Sequence, residues 1–125
     1  MITSYFNKIR YFVEKSSIVV SEGITYDWID SDRGKIHGRI DFIDGSILYF
    51  PEYVIITDKV KKPKYRFQWQ KQSGKLIVRW DNAHPQEIAS FPHHKHAGRD
   101  SIKESKEMNL DGVIDEIQDA ILAIK

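Results

Sequence analysis

Apolar residues in the first fifteen positions recur at helical spacing. Ile2, Phe6, Ile9 and Val13 form one stripe, with Tyr5 and Phe12 beside it, and this pattern predicts a short amphipathic helix. After Ser16-Ser17 the period changes. Ile18-Val19-Val20 and Ile24-Thr25-Tyr26 are β-rich, and Asp30-Ser31-Asp32-Arg33-Gly34 marks a turn. Two hairpins follow. In the first, Gly38–Ile43 runs through Asp44-Gly45 into Ser46–Phe50. Asp-Gly between β-rich runs favours a two-residue turn, which sets Phe42 opposite Ile47 and Ile40 opposite Tyr49. Pro51 has no N–H for a ladder and belongs at an edge or a bulge, while Val54-Ile55-Ile56 continues this strand or begins another. In the second hairpin Tyr65, Phe67 and Trp69 alternate with Arg66, Gln68 and Gln70. After Ser73-Gly74, Leu76, Val78 and Trp80 alternate with Ile77, Arg79 and Asp81. A two-residue turn at Ser73-Gly74 sets Phe67 opposite Trp80 and Trp69 opposite Val78 on an apolar face. The other face then pairs Gln68 with Arg79 and Arg66 with Asp81.

Residues Asn82 to Arg99 have no clean period and include Pro85, Pro92 and Gly98. They read as a long ordered loop, docked through Ile88 and Phe91. Loops longer than about 12 residues inside compact domains are usually functional or disordered. Leu110, Val113, Ile114, Ile117, Ile121 and Ile124 form a last helical stripe. Asn109 can cap it, acids crowd its first turns and Lys125 ends it, in keeping with the helix dipole. The expected fold is α+β: a single domain over residues 1–125, with a curled antiparallel sheet of about five or six strands. An N-terminal and a C-terminal helix pack on one face of that sheet.

The composition is 41% hydrophobic and 30% charged over 125 residues, which is globular rather than disordered. The absence of cysteine excludes disulfides and thiolate zinc sites, and nothing suggests secretion. The N-terminal segment lacks the apolar core of a signal peptide, and no apolar run is long enough to span a membrane. A cytoplasmic location is therefore expected. Net charge is +1, which carries no information about partners, but the distribution is uneven. Lys59 to Trp80 holds eight basic residues and no acid, whereas Asp100 to Lys125 holds seven acids and three lysines. Such asymmetry marks either an anion-binding face or a solvated lysine-rich hairpin.

Four of the five histidines, His84, His93, His94 and His96, lie within thirteen residues. Histidine is the side chain best suited to proton transfer near neutral pH, and two of them can divide the work of base and acid. Lys95, Arg79 and Arg99 are placed to hold a phosphate or its developing charge. These are the ingredients of metal-independent RNA cleavage, and no cofactor is implied. A metal site built on His94 and His96, completed by His84 or Asp81, uses the same residues. The lack of a regular carboxylate set counts against it. The bland alternative is a loop whose histidines satisfy backbone carbonyls, with Asp81 and Asn82 capping a turn. Phe67, Trp69 and Trp80 belong to the core by alternation, and His37, alone in a strand, reads as structural.

The runs Asp44-Gly45-Ser46-x-Leu48, Tyr65-x-Phe67-x-Trp69, Arg79-Trp80-Asp81-Asn82-Ala83-His84 and Phe91-Pro92-His93-His94-Lys95-His96 follow in one order. Together they resemble the TumE family, the toxin component of small prokaryotic toxin–antitoxin pairs, over roughly residues 38–120. The last run is the most specific. The resemblance implies a partner, a small helix-turn-helix antitoxin, while RNA as a target is what the histidine segment suggests. The resemblance also carries over Arg79, Asp81, Asn82, His84, His93, His94, Lys95 and His96 as site candidates. With the reading of the residues, His93, His94, His96, Lys95, Arg79 and Asp81 are assigned to chemistry, and Asn82, His84, Arg66 and Arg99 to binding. His84-Pro85 stands where the family favours a histidine pair. The alternatives are a non-catalytic module binding an anion, nucleic acid or protein through the basic hairpin, and a structural protein whose histidine segment closes the sheet.

Overall fold

The computed structural model describes residues 1–58, 60–82, 94–97, 101–104 and 108–123; at 62–63, 94, 96–97 and 101–104 the backbone alone is described. Helix α1 spans Ile2–Lys15 and buries Ile2, Phe6, Ile9 and Val13, the four residues of the sequence stripe. Helix α2 spans Leu110–Ala123 and buries Leu110, Val113, Ile114, Ile117 and Ile121. Asn109 caps α2: its Oδ1 accepts from the Gly112 N–H at 2.9 Å. Ile124 and Lys125 lie outside the described residues. Among the described residues, no helix is long and apolar enough to cross a membrane.

Between the helices the chain forms one antiparallel sheet. Its strands are β1 (Val19–Trp28), β2 (Arg33–Phe42), β3 (Ile47–Ile56), β4 (Val60–Gln70), β5 (Leu76–Asp81), β6 (His94–Ala97) and β7 (Ser101–Glu104). They lie side by side in chain order. The α+β class, the antiparallel sheet and the two flanking helices are as expected. Strands β6 and β7 extend the sheet beyond the hairpins that the hydrophobic pattern marks. Alternation puts Ile36, Ile40, Leu48, Phe50, Tyr65, Phe67, Trp69 and Trp80 in one buried cluster with the stripes of both helices. Neither a helix stripe nor a sheet face can bury itself alone, so the two close on each other.

Register decides which residues reach the other face. In the β4–β5 hairpin, Arg66 pairs with Asp81, Phe67 with Trp80, Gln68 with Arg79 and Trp69 with Val78, as the alternation predicts. The turn differs. Lys71 N–H donates to the Lys75 carbonyl and Gly74 N–H to the Lys71 carbonyl, so three residues close it, with Gly74 at φ 98°. A bulge between Trp69 and Gln70 then restores the expected pairing. The β2–β3 hairpin has the same closure, with Gly45 at φ 87° and Asp44 Oδ1 accepting from Ser46 N–H at 3.0 Å. No non-glycine residue among those described has positive φ, so Asp44 does not adopt the conformation of a two-residue Asp-Gly turn. No bulge compensates here. The pairing moves by one residue from the expected one, to Ile40 opposite Leu48 and Arg39 opposite Tyr49. That register puts two fully buried aliphatics together and leaves Tyr49 exposed.

Pro51 also departs from expectation. It lies inside β3, an interior strand, opposite His37 of β2. The pairing with β4 is interrupted there, running at Tyr49–Gln68 and resuming at Glu52–Tyr65. The missing N–H thus falls in a gap in the ladder, which is how an interior strand tolerates proline.

Candidate functional site

Arg79 and Asp81 alternate with buried Trp80 on β5, which places both on the sheet face turned away from the helices. Their cross-strand partners on β4 are Gln68 and Arg66. Asp81 is nevertheless fully buried. Its Oδ2 lies 3.3 Å from Arg79 Nε and 3.9 Å from Arg66 Nε. One carboxylate thus lies between two guanidinium groups, whose charges offset the cost of burying it. It also orients both forks. Arg66 keeps 43% of its side chain exposed, so part of its donor set faces solvent. Among the described residues the cluster carries one net positive charge, and planar guanidinium forks suit phosphate oxygens.

The segment expected to be an irregular loop contains strand β6. Its backbone pairs with β5, setting His94 opposite Asp81, Lys95 opposite Trp80 and His96 opposite Arg79. Positions directly opposite in an antiparallel pair share a sheet face. His94 and His96 are therefore strand positions on the face that carries Arg66, Arg79 and Asp81. The loop expectation failed because His94-Lys95-His96-Ala97 is a four-residue strand without apolar alternation, and its pairing partner is supplied by tertiary contact alone.

Lys95 falls on the other face. Its Nζ lies 3.9 Å from Glu116 Oε1 of α2, so it ties β6 to the C-terminal helix rather than joining the arginines. Both side chains are partly exposed, at 29% and 45%, which limits the pair to at most about 1 kcal/mol. Lys95→Ala should accordingly shift stability by less than that in urea titration. It should also depress activity far less than any change at His94 or His96. A loss as large as theirs would put Lys95 in the chemistry.

Asn82, expected to bind substrate, has a structural duty. Its Oδ1 accepts from the Tyr65 backbone N–H at 3.0 Å, continuing the β4–β5 ladder past its last residue pair. His84, His93 and Arg99 lie outside the described residues, as do Ile88 and Phe91 of the expected docking contact.

His37 reads as structural in the sequence, and the structure places it at a cavity. It is exposed, pairs with Pro51, and its Nε2 is 3.3 Å from Asp27 Oδ2. It lines a cavity of about 550 Å³ together with Lys35, Pro51, Tyr53, Lys64 and Arg66. Arg66 is common to this cavity and to the Asp81 cluster. A single histidine in a β-rich run carries no signal of this. The proximity depends on β3 and on the gap at Pro51. Nearby, Arg39 donates to Asp41 Oδ1 at 2.8 Å. That hydrogen bond holds the guanidinium above its ordinary pKa and the carboxyl below the usual carboxylate range.

Comparison with curated proteins and with solved structures found no match. Comparison with protein families did: residues 9–121 match the family described as Toxin TumE. The match takes in α1 from Ile9 onward, every strand and α2 as far as Ile121, including Arg66, Arg79, Asp81 and the His94-Lys95-His96 strand. The chain belongs to the TumE toxin family.

Proposed function

We propose that this toxin-family chain acts on RNA, as a metal-independent ribonuclease whose reactive centre is formed by His94 and His96 with Arg79, Asp81 and Arg66. The observation that carries the reading is the β5–β6 register, in which His94 stands opposite Asp81 and His96 opposite Arg79. Residues two apart on a strand lie about 7 Å from each other along it. That spacing suits a base and an acid working on opposite sides of one phosphorus atom. In the proposed step one imidazole takes the proton of the ribose 2′-hydroxyl. The 2′-oxygen forms its bond to phosphorus as the bond from phosphorus to the 5′-oxygen breaks. The other imidazolium gives its proton to that leaving oxygen. Arg79 and Arg66, braced by Asp81, neutralise the charge that gathers on the non-bridging oxygens. His93 and His84 are additional donors in this reading, with Arg99 an additional phosphate contact. A helix-turn-helix antitoxin is the partner the reading expects, and the cytoplasm is where both would be met.

The reaction class has a direct test. Purified chain should convert RNA to fragments ending in a 2′,3′-cyclic phosphate. It should do so equally well with chelator present, and it should leave a substrate with 2′-deoxyribose at the cleaved position intact. Cleavage of the deoxy substrate, or loss of activity on chelation, would rule out the 2′-hydroxyl mechanism.

A further inference from the structure

On the outward face of the sheet, β3 presents Tyr49, Pro51 and Tyr53 at alternating positions, opposite Arg39, His37 and Lys35 of β2. Across β4, Lys64 pairs with Tyr53 and Gln68 with Tyr49. Two aromatic residues thus stand about 13 Å apart on the solvent side of an interior strand. Tyr49 is 38% exposed. Its ring is fixed by Arg39, whose guanidinium carbon lies 5.7 Å from the ring centroid and whose Nη1 donates to the phenol oxygen at 3.2 Å. Tyr53 lines the cavity of about 550 Å³ with Lys35, Lys64 and Arg66.

The charges on this face are unequally matched. Asp41 is taken up by Arg39, Asp27 stands opposite Lys35 in the β1–β2 register with its carboxylate 3.3 Å from His37, Asp81 lies between Arg66 and Arg79, and buried Glu52 also lines the cavity. Neither Lys35 nor Lys64 has a carboxylate within 4.0 Å among the described residues. A groove with lysines outside any close ion pair, one exposed aromatic ring at Tyr49 and one half-buried ring at Tyr53 matches what single-stranded nucleic acid requires. Bases stack on the rings, and the backbone follows the cations. Arg66 joins this groove to the Asp81 cluster, so a strand lying in it leads toward β6.

We propose that the outward sheet face is a platform for single-stranded RNA, with Tyr49 and Tyr53 stacking bases and Lys35, Lys64 and Arg66 contacting phosphates. The inference rests on the RNA reading of the histidine strand, and it deepens that reading by saying where the substrate lies. The test uses the full chain and a short fluorescent 2′-O-methyl oligouridine, which offers no attacking hydroxyl. Fluorescence anisotropy should show binding that weakens as salt rises. Tyr49→Ala and Tyr53→Ala should each weaken it by about five- to a hundred-fold, the range for loss of one stacked base. The corresponding phenylalanine variants should bind like the parent, because the ring does the stacking. Lys35→Glu combined with Lys64→Glu, at exposed positions, should flatten the salt dependence even if an alanine variant proves unstable. Alanine variants that bind as well as the parent, or a probe that binds with no salt dependence or not at all, would overturn the platform. A His94→Ala, His96→Ala variant should still bind the probe. If that variant also cleaves RNA while the tyrosine variants fail to bind, the platform stands and the histidine assignment falls.

Discussion

Trp80→Ala should lower the stability of the chain by about 3–5 kcal/mol, the range for truncating a buried aromatic. Trp80 is 1% exposed and sits opposite Phe67 in the core cluster that also contains the buried stripes of both helices. Truncation would leave a void bounded by a paired strand on each side, since β5 is hydrogen-bonded to β4 and to β6. Such walls cannot collapse inward. Trp80→Phe should cost much less. It keeps most of the apolar contact, and it removes an indole Nε1 that is buried without an acceptor among the described residues. Urea titration with an unchanged m-value is the measurement. A loss for Trp80→Ala below about 1 kcal/mol, the surface range, would show that the ring is exposed and available for binding.

The same strand shows what could be read before the structure. The Arg66–Asp81 and Gln68–Arg79 pairs were legible because both faces of the β4–β5 hairpin constrain the register at once. A slip of one residue would have put Phe67 or Trp69 opposite a charge. The β2–β3 hairpin had weaker constraints, because Phe42, Ile43, Ile47 and Leu48 are apolar on both faces. There the turn geometry at Gly45 decided, and the pairing moved by one. Strand β6 was not legible as a strand, although an extended run would set His94 and His96 on one side and Lys95 on the other, as found. Four residues with two histidines and a lysine have no strand signature; the edge of β5 makes them one. The consequence for the site is large. The expectation of a histidine loop beside Arg79 and Asp81 becomes two strand positions in register with them, and Lys95, adjacent in sequence, goes to the helix side. Likewise His37 and Tyr53 come together with Arg66 only through the order of β2, β3 and β4, a fact of topology that no local pattern encodes.

Removal of the histidines should produce the largest functional effect. Acid–base histidines contribute typically 10²–10⁴-fold to rate, and each of the pair serves a different proton. Single alanine variants at His94 and His96 should each fall by that order. The double variant should fall little further, because residues acting as a unit are not additive. Stability should hardly change, since backbone pairing of β6 with β5 and β7 does not depend on those side chains. Expressed in cells, the same variants should lose any growth arrest that the parent causes.

The most direct test of the account is the His94→Ala, His96→Ala double variant, purified and compared with the parent for its thermal midpoint and for single-turnover cleavage of RNA. A midpoint within a few degrees of the parent and a cleavage rate reduced at least about a hundred-fold are expected. A double variant that is folded and cleaves at the parent rate would contradict it. The histidine strand would then serve only to extend the sheet.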